Sequence, residues 1–148
     1  MSTTTEGPEL CGDDCAYPKE LALRTILLPR DTNAQGTIFG GVILAHIDLA
    51  GVVPVRKLNP ARRFVTVAMN EIVFHEPVFV GDLVSFYAQV CQVGRTSVQV
   101  KVVVCVQRKD DSDGEEMQVT EAEVTYVAVD ENRRPVPVLS ASQRKGKN

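Results

Sequence analysis

Between Gly41 and Val55 the chain reads Gly-Val-Ile-Leu-Ala-His-Ile-Asp-Leu-Ala-Gly-Val-Val-Pro-Val, an apolar run broken only by His46 and Asp48. A helix that is apolar on every side belongs inside a domain. At ~15 residues it falls short of the about 20 that cross a bilayer. Asp48 is its misfit: three and four residues either side stand Ala45, Leu44, Gly51 and Val52, with no Lys or Arg to pair with it. A buried, unpaired carboxylate has to be satisfied or used. It is either a core Asp hydrogen-bonded to a neighbour, or a catalytic acid facing a second element of a site. The paired glycines Gly40 and Gly41 directly precede the run. At a helix start they let another group approach the free N–H donors, which suit an anion or a polarised carbonyl oxygen. Gly40-Gly41 taken alone reads as only a tight turn; what changes that is the isolated acid in the apolar helix that follows.

With 148 residues the chain makes one domain with a sizeable core. A net charge of −3 argues against general nucleic-acid binding, which needs a basic face. Of the four cysteines, Cys91 and Cys105 fall in apolar strand patterns, where free Cys packs as a small hydrophobe. Cys11 and Cys15 lack a second Cys/His pair at zinc-like spacing, so no metal site is expected. No basic segment followed by an apolar run opens the chain, and a reducing cytoplasm is the expected setting, with no membrane partner.

Residues 1–18 are polar and read as a flexible leader. A first strand is expected over 20–28, ended by Pro29, then a turn-rich loop with Asp31, Asn33 and Gly36. Pro54 should bend or end the helix, since its ring removes the hydrogen bond to Ala50. Arg56, Lys57, Arg62 and Arg63 make a basic connector. Four strands follow, over 64–75, 82–93, 96–108 and 117–129. In the third, Val98, Val100, Val102, Val104 and Val106 share one face against Ser97, Gln99 and Lys101, the clearest period of two in the chain. Residues 109–116 form a charged hairpin loop. Everything from Asp130 on reads as surface-running or disordered, with 139–148 a flexible basic tail. One strand, one apolar helix and four hairpin-linked strands imply an α+β domain over 19–138, an antiparallel sheet wrapped around a single helix. Joining sheet edges or packing helix on helix in a dimer would cover what such a sheet leaves open.

The stretches Pro29-Arg-Asp31-Thr-Asn33-Ala-Gln-Gly36-Thr-Ile-Phe-Gly40-Gly41, Asp48-Leu-Ala-Gly51, Val65-Thr-Val67, Phe74-His-Glu-Pro77-Val-Phe-Val80-Gly81-Asp82, Val93-Gly94-Arg95-Thr96-Ser97 and Tyr126-Val-Ala-Val-Asp130 together resemble the hotdog-fold acyl-CoA thioesterases. Nearest among them is the bacterial YciA-like branch, related to the cytosolic brain-type acyl-CoA hydrolases. The likeness runs from about Leu21 to Val138 and departs at Thr37 and Pro54. It implies a hotdog fold dimerising into a double hotdog, assembled further into a hexamer as a trimer of dimers. It also implies an acyl-CoA substrate in fatty acid metabolism, with no cofactor beyond the coenzyme A carried in substrate and product. The family's catalytic acid carries over to Asp48, its loop asparagine to Asn33, and its helix-opening glycines to Gly40 and Gly41. Coenzyme A contacts carry over to Gly94, Arg95, Thr96 and Ser97. Arg63 of the basic connector joins them as a phosphate partner on its charge.

The helix start would hold the thioester carbonyl oxygen, and Asp48 would act as general base on water or attack directly as nucleophile. Eight residues separate Gly40 from Asp48, about 12 Å along a helix, so one thioester carbon cannot touch both within one chain. Two antiparallel helices meeting across a dimer would close that gap. Asn33 would orient the water or bond the carbonyl; without the resemblance it reads as a turn former in a polar loop. His46 points to a different helix face from Asp48 and reads as a dimer or sheet contact. His75, beside Glu76, is expected at a domain edge. Without a Gly-x-Ser-x-Gly elbow an α/β-hydrolase is disfavoured. A hotdog enoyl-CoA hydratase or dehydratase and a non-catalytic acyl-CoA-binding regulator are the rival readings.

Overall fold

The computed structural model describes residues 7–12 and 15–145. The parts of the leader and tail at 1–6, 13–14 and 146–148 lie outside those residues. Five strands, β1 (Lys19–Ile26), β2 (Arg63–Phe74), β3 (Leu83–Val93), β4 (Ser97–Gln107) and β5 (Met117–Val129), form one antiparallel sheet in the order β1-β3-β4-β5-β2. Helix α1 (Gly40–Leu58) packs on one face of it, chiefly against β3, β4 and β1. This is the α+β hotdog arrangement expected above.

The valine alternation of β4 sets the inner face: Val98, Val100, Val102, Val104 and Val106 are all buried. They meet Ile43, Ile47, Ala50 and Val55 of the helix and the inward row Ala122, Val124, Tyr126 and Ala128 of β5. Hydrophobic burial of this kind is the main stabilising term, worth about 1.5–3 kcal/mol for each large aliphatic side chain. The 79–82 turn is fixed separately. The buried Asp82 carboxylate accepts hydrogen bonds from the Phe79 N–H and from Arg108, whose guanidinium lies 4.7 Å from the Phe79 ring centroid.

Two features of the helix differ from expectation. It runs on through Pro54 to Leu58 instead of ending there. Pro54 and Val55 are buried there, and that packing outweighs the lost hydrogen bond, which costs about 3 kcal/mol. Nor does the sheet wrap it on every side. Ile43, Ile47, Ala50, Gly51, Pro54 and Val55 face the sheet, while Leu49 is 62% exposed and Gly41 and Ala45 are open beside it. An apolar stripe at positions i, i+4 and i+8 therefore faces outward. The neighbouring β2 is a sheet edge, bonded among the described residues to β5 alone. It carries exposed Val67, Ile72, Val73 and Phe74.

The ends of the chain are more engaged than their composition suggests. Cys11 and Cys91 form a disulfide with 5.7 Å between Cα atoms, so Cys91 is not the free apolar thiol expected of it. Beside it the Cys11 N–H donates to Gln89 Oε1 at 3.1 Å, and Gln89 Nε2 donates to the Tyr17 carbonyl at 2.6 Å. Past Asp130 the chain runs over the surface, exposed from 131 to 135, and is anchored there by hydrogen bonds. The Val136 N–H donates to Ala128 O, Val138 N–H to Arg95 O, and Asn59 Nδ2 to Val138 O. A short helix α2 (Ala141–Lys145) follows, and Gln143 Nε2 donates to the Leu58 carbonyl at 2.8 Å, closing the end of α1.

On the outer face, Arg24 bonds Ser85 and Glu116, and the Tyr87 hydroxyl donates to Glu116. Burial, helped by Glu116, pushes the Cys105 thiol from 9.0 up to about 12 and the Tyr87 phenol from 10.0 up to about 12. Burial raises Tyr126 in the same direction. The unfolded chain ionises these groups first as pH rises, so the stability they contribute is complete below about pH 9 and is lost towards about pH 12. Urea midpoints measured from about pH 8 to about pH 11 should fall steadily, and less steeply once Cys105 is replaced by Ala.

Candidate active site

Asp48 leaves α1 on the side turned to β2. Its Oδ1 accepts a hydrogen bond from the Thr66 hydroxyl at 2.6 Å. Its backbone carbonyl accepts one from the Tyr126 hydroxyl at 2.7 Å. Tyr126 is raised by burial first and then by the nearby Asp48 charge. It stays a neutral donor at working pH and holds the helix turn that carries the acid. No described Lys or Arg pairs with Asp48. The carboxylate is half-buried, not enclosed as a core helix would make it. What satisfies it is a hydroxyl on an open sheet edge.

Gly51 belongs to the same support. A Cβ there would collide with the Tyr126 hydroxyl, so glycine lets the phenol reach the helix backbone. Thr66, Tyr126 and Gly51 received no role from sequence reasoning. Tyr126 alone carried a signal: it is the polar-tipped aromatic in the inward row of β5, and a buried phenol needs a partner.

The helix start lies elsewhere. Among the described residues no side chain caps α1, and the first N–H groups of a helix have no partner within it. Gly40 sits against β2's far end, where an added Cβ would meet the Phe74 ring at 3.4 Å. Thr66 lies eight residues back along β2 from Phe74. Asn33 belongs to the loop leading into this end. Its Oδ1 accepts from the Gln35 and Thr37 N–H groups at 2.9 and 3.2 Å, and its Nδ2 donates to Thr37 Oγ1 at 2.9 Å. Within one chain Asn33 is thus the turn former that its loop position allowed. Below Gly40 is a hollow of about 320 Å³ whose walls include Ile38, Ile43, Phe74 and Val78, with Thr120 among its lining residues.

The basic candidates gather at the sheet end nearer Asp48. Arg63 pairs across β2 and β5 with Val129, and the Thr96 carbonyl accepts from the Ala128 N–H at 2.9 Å. Gly94 turns tightly, its N–H donating to the Ser97 carbonyl at 2.8 Å. Arg56, Arg62 and Arg63 line a hollow of about 890 Å³ that Asp130 and Glu131 also border. Gly94 and Arg95 line another of about 280 Å³, with Arg144. Arg63 and Arg95 therefore share an end of the sheet but not a cavity. Lys57 is taken by Glu20 at 2.9 Å. His46 stacks on Phe86 with centroids 5.6 Å apart, and its Nδ1 lies 2.8 Å from the Val42 carbonyl, so it is a sheet contact. His75 is 3.7 Å from Glu121 at the strand's end. One chain thus gathers the acid and the arginines at one end of β2, and Asn33 with the glycines at the other.

A family model described as the thioesterase superfamily matches residues 35–111. The acyl-CoA thioester hydrolase YciA of Escherichia coli is 39% identical over 136 residues, 91% of this chain and 96% of its own. Among solved structures, the hexameric hotdog fold thioesterase Cj0915 of Campylobacter jejuni is 45% identical with a TM-score of 0.75, covering 85% of this chain and 94% of its own. HI0827, a hexameric broad specificity acyl-coenzyme A thioesterase, is 39% identical with a TM-score of 0.75 and 86% coverage of each chain.

Proposed function

Because this chain belongs to the thioesterase superfamily, as a hotdog-fold member of the YciA-like branch, we propose that it hydrolyses acyl-CoA thioesters to free coenzyme A and a carboxylic acid. One observation carries the chemistry: Asp48, unpaired with any described cation, is held by Thr66 and Tyr126 at an unpaired sheet edge.

The edge is what makes the reading concrete. Two β2 strands aligned antiparallel about a two-fold axis would bring the Thr66 end of one beside the Phe74 end of the other. Asp48 stands over the first end and Gly40 over the second. The same pairing would cover Val67, Val73 and the Gly41, Ala45, Leu49 stripe. Each dimer then holds two sites, each using the acid of one protomer and the helix start of its partner. The hexameric relatives support further assembly into a trimer of dimers.

In such a site the amide groups at Gly40 and Gly41 hold the thioester oxygen, with the positive end of the helix dipole behind them. Asp48 takes a proton from water as the oxygen adds to the carbonyl carbon. The tetrahedral intermediate then collapses, the C–S bond breaks, and coenzyme A leaves as thiolate to be protonated. Direct attack by Asp48, through a mixed anhydride that water cleaves, gives the same products. Asn33 would turn from its loop to position water or carbonyl. Arg63 with Arg56 and Arg62, and Arg95 with Thr96 and Ser97, would meet the phosphates of coenzyme A. The hydratase reading has less support, since the His46 ring is engaged by Phe86 and Val42. Among the described residues no helix is long and apolar enough to cross a membrane. A cytoplasmic location belongs to this reading, with the condition that a reducing compartment holds Cys11 and Cys91 as thiols.

Acyl-CoA esters from acetyl to palmitoyl, assayed for thiol release with DTNB beside mass determination in solution, should show turnover and a species no smaller than a dimer. An active monomer, or binding without thiol release, would remove this mechanism.

A further inference from the structure

Among the described residues, Thr120 alone has a buried side-chain polar atom without a hydrogen-bond partner. It is fully buried. It occupies the row of β5 that continues as Ala122, Val124, Tyr126 and Ala128, facing the helix. The first three of those neighbours either have no side-chain polar atom or, in Tyr126, place it on the Asp48 carbonyl. Thr120 pairs with Phe74 on β2 and with Val104 on β4, so it sits between strands at the Gly40 end. There it lines the hollow of about 320 Å³ that Gly40 also borders. A valine would fill the same volume without stranding a hydroxyl, and unpaired buried polar groups persist where they are used.

The hollow holds about ten water volumes at ~30 Å³ each, room for a short to medium acyl chain. Gly40, at the helix start to which the thioester oxygen is assigned above, is among its lining residues. We propose that the hollow receives the acyl part of the substrate, and that the Thr120 hydroxyl selects acyl groups carrying an oxygen along the chain, the hydroxyacyl-CoA esters. This rests on thioester hydrolysis as the reaction. The Ile38, Ile43, Phe74 and Val78 side of the hollow accepts any chain that fits. His75 and Glu76 also border it, but His75 already faces Glu121, whereas a buried hydroxyl with no partner of its own favours the chain that completes it.

The test compares wild type, Thr120→Val and Thr120→Ser on butyryl- and octanoyl-CoA and on their 3-hydroxy and terminally hydroxylated counterparts. Thr120→Val should lower kcat/KM for a hydroxylated ester about 10-fold or more relative to its plain counterpart. Thr120→Ser should keep the wild-type ratio. The Val variant should also melt at the wild-type temperature or above, since it loses an unsatisfied group, so the activity loss cannot be put down to unfolding. An unchanged ratio in Thr120→Val overturns the proposal and leaves thioester hydrolysis standing. Wild type that cleaves none of these esters overturns both.

Discussion

Replacing Asp48 with Ala or Asn should lower kcat for acyl-CoA hydrolysis by about 10²–10⁴, the range that a positioned general acid or base contributes. The fall should appear in kcat and in kcat/KM alike, with KM little changed, because the carboxylate acts on water and carbonyl in the transition state and is not needed to hold coenzyme A. Folding should survive. Asp48 is half-buried and its carboxylate accepts a hydrogen bond from the Thr66 hydroxyl. Losing it costs about 1 kcal/mol, or about 2–4 °C of Tm in a chain of this size. The Asn variant is the sharper of the two, since it keeps the size of the side chain and a partner for Thr66 while losing the basic oxygen. Turnover in Asp48→Asn within a few-fold of wild type would take this residue out of the reaction.

How far the sequence carried depended on whether a feature is local. β4 was legible because Val98 to Val106 alternate and the sheet buries that face. Helix α1 was legible in extent and not in environment. Its stripe of Gly41, Ala45 and Leu49 reads as core by composition, yet faces outward in a single chain. Composition records that a surface is to be covered, not by what. Pro54 misled for the opposite reason: a local rule about one missing hydrogen bond met burial that only the whole fold supplies. The supports of Asp48 were invisible for want of distance information. Gly51, Thr66 and Tyr126 are scattered over the chain, and only the β2–β5 register sets Thr66 beside Tyr126 beneath the helix. Gly51 in the helix looks like a weakness by propensity until the phenol that fills its missing side chain is seen. The pairings made by the chain ends were hidden for the same reason. Cys11 and Cys91 lie 80 residues apart, and Gln143 reaches Leu58 across the fold, pairings that no spacing rule contains.

Two inactive variants should restore one another when combined in one dimer. Asp48→Ala removes the acid; Gly41→Val puts a branched side chain over the helix amides. The second variant should still fold, because the group that a Cβ at Gly41 meets is the 56% exposed Phe39 ring, and its mass in solution must show that it still pairs, since Gly41 lies in the stripe that the partner would cover. Expressed separately, each should have under about 1% of wild-type turnover, following the size of the general-base and oxyanion contributions. Co-expressed in equal amounts they should form mixed dimers about half the time by random pairing. If each site draws the acid from one protomer and the amides from the other, a mixed dimer has one site with both defects and one with neither. Half the dimers with half their sites intact gives about a quarter of wild-type activity, and doubly tagged, purified mixed dimers should reach about half. A site built within one chain predicts no recovery, because every site in every dimer then retains one defect. The same quarter is expected whether dimers stay apart or assemble in threes, since the count concerns only the two chains that share an edge. Recovery therefore reads the β2 pairing directly: the Thr66 end of one protomer, with Asp48 above it, must meet the Phe74 end of its partner, where Gly40 begins the helix.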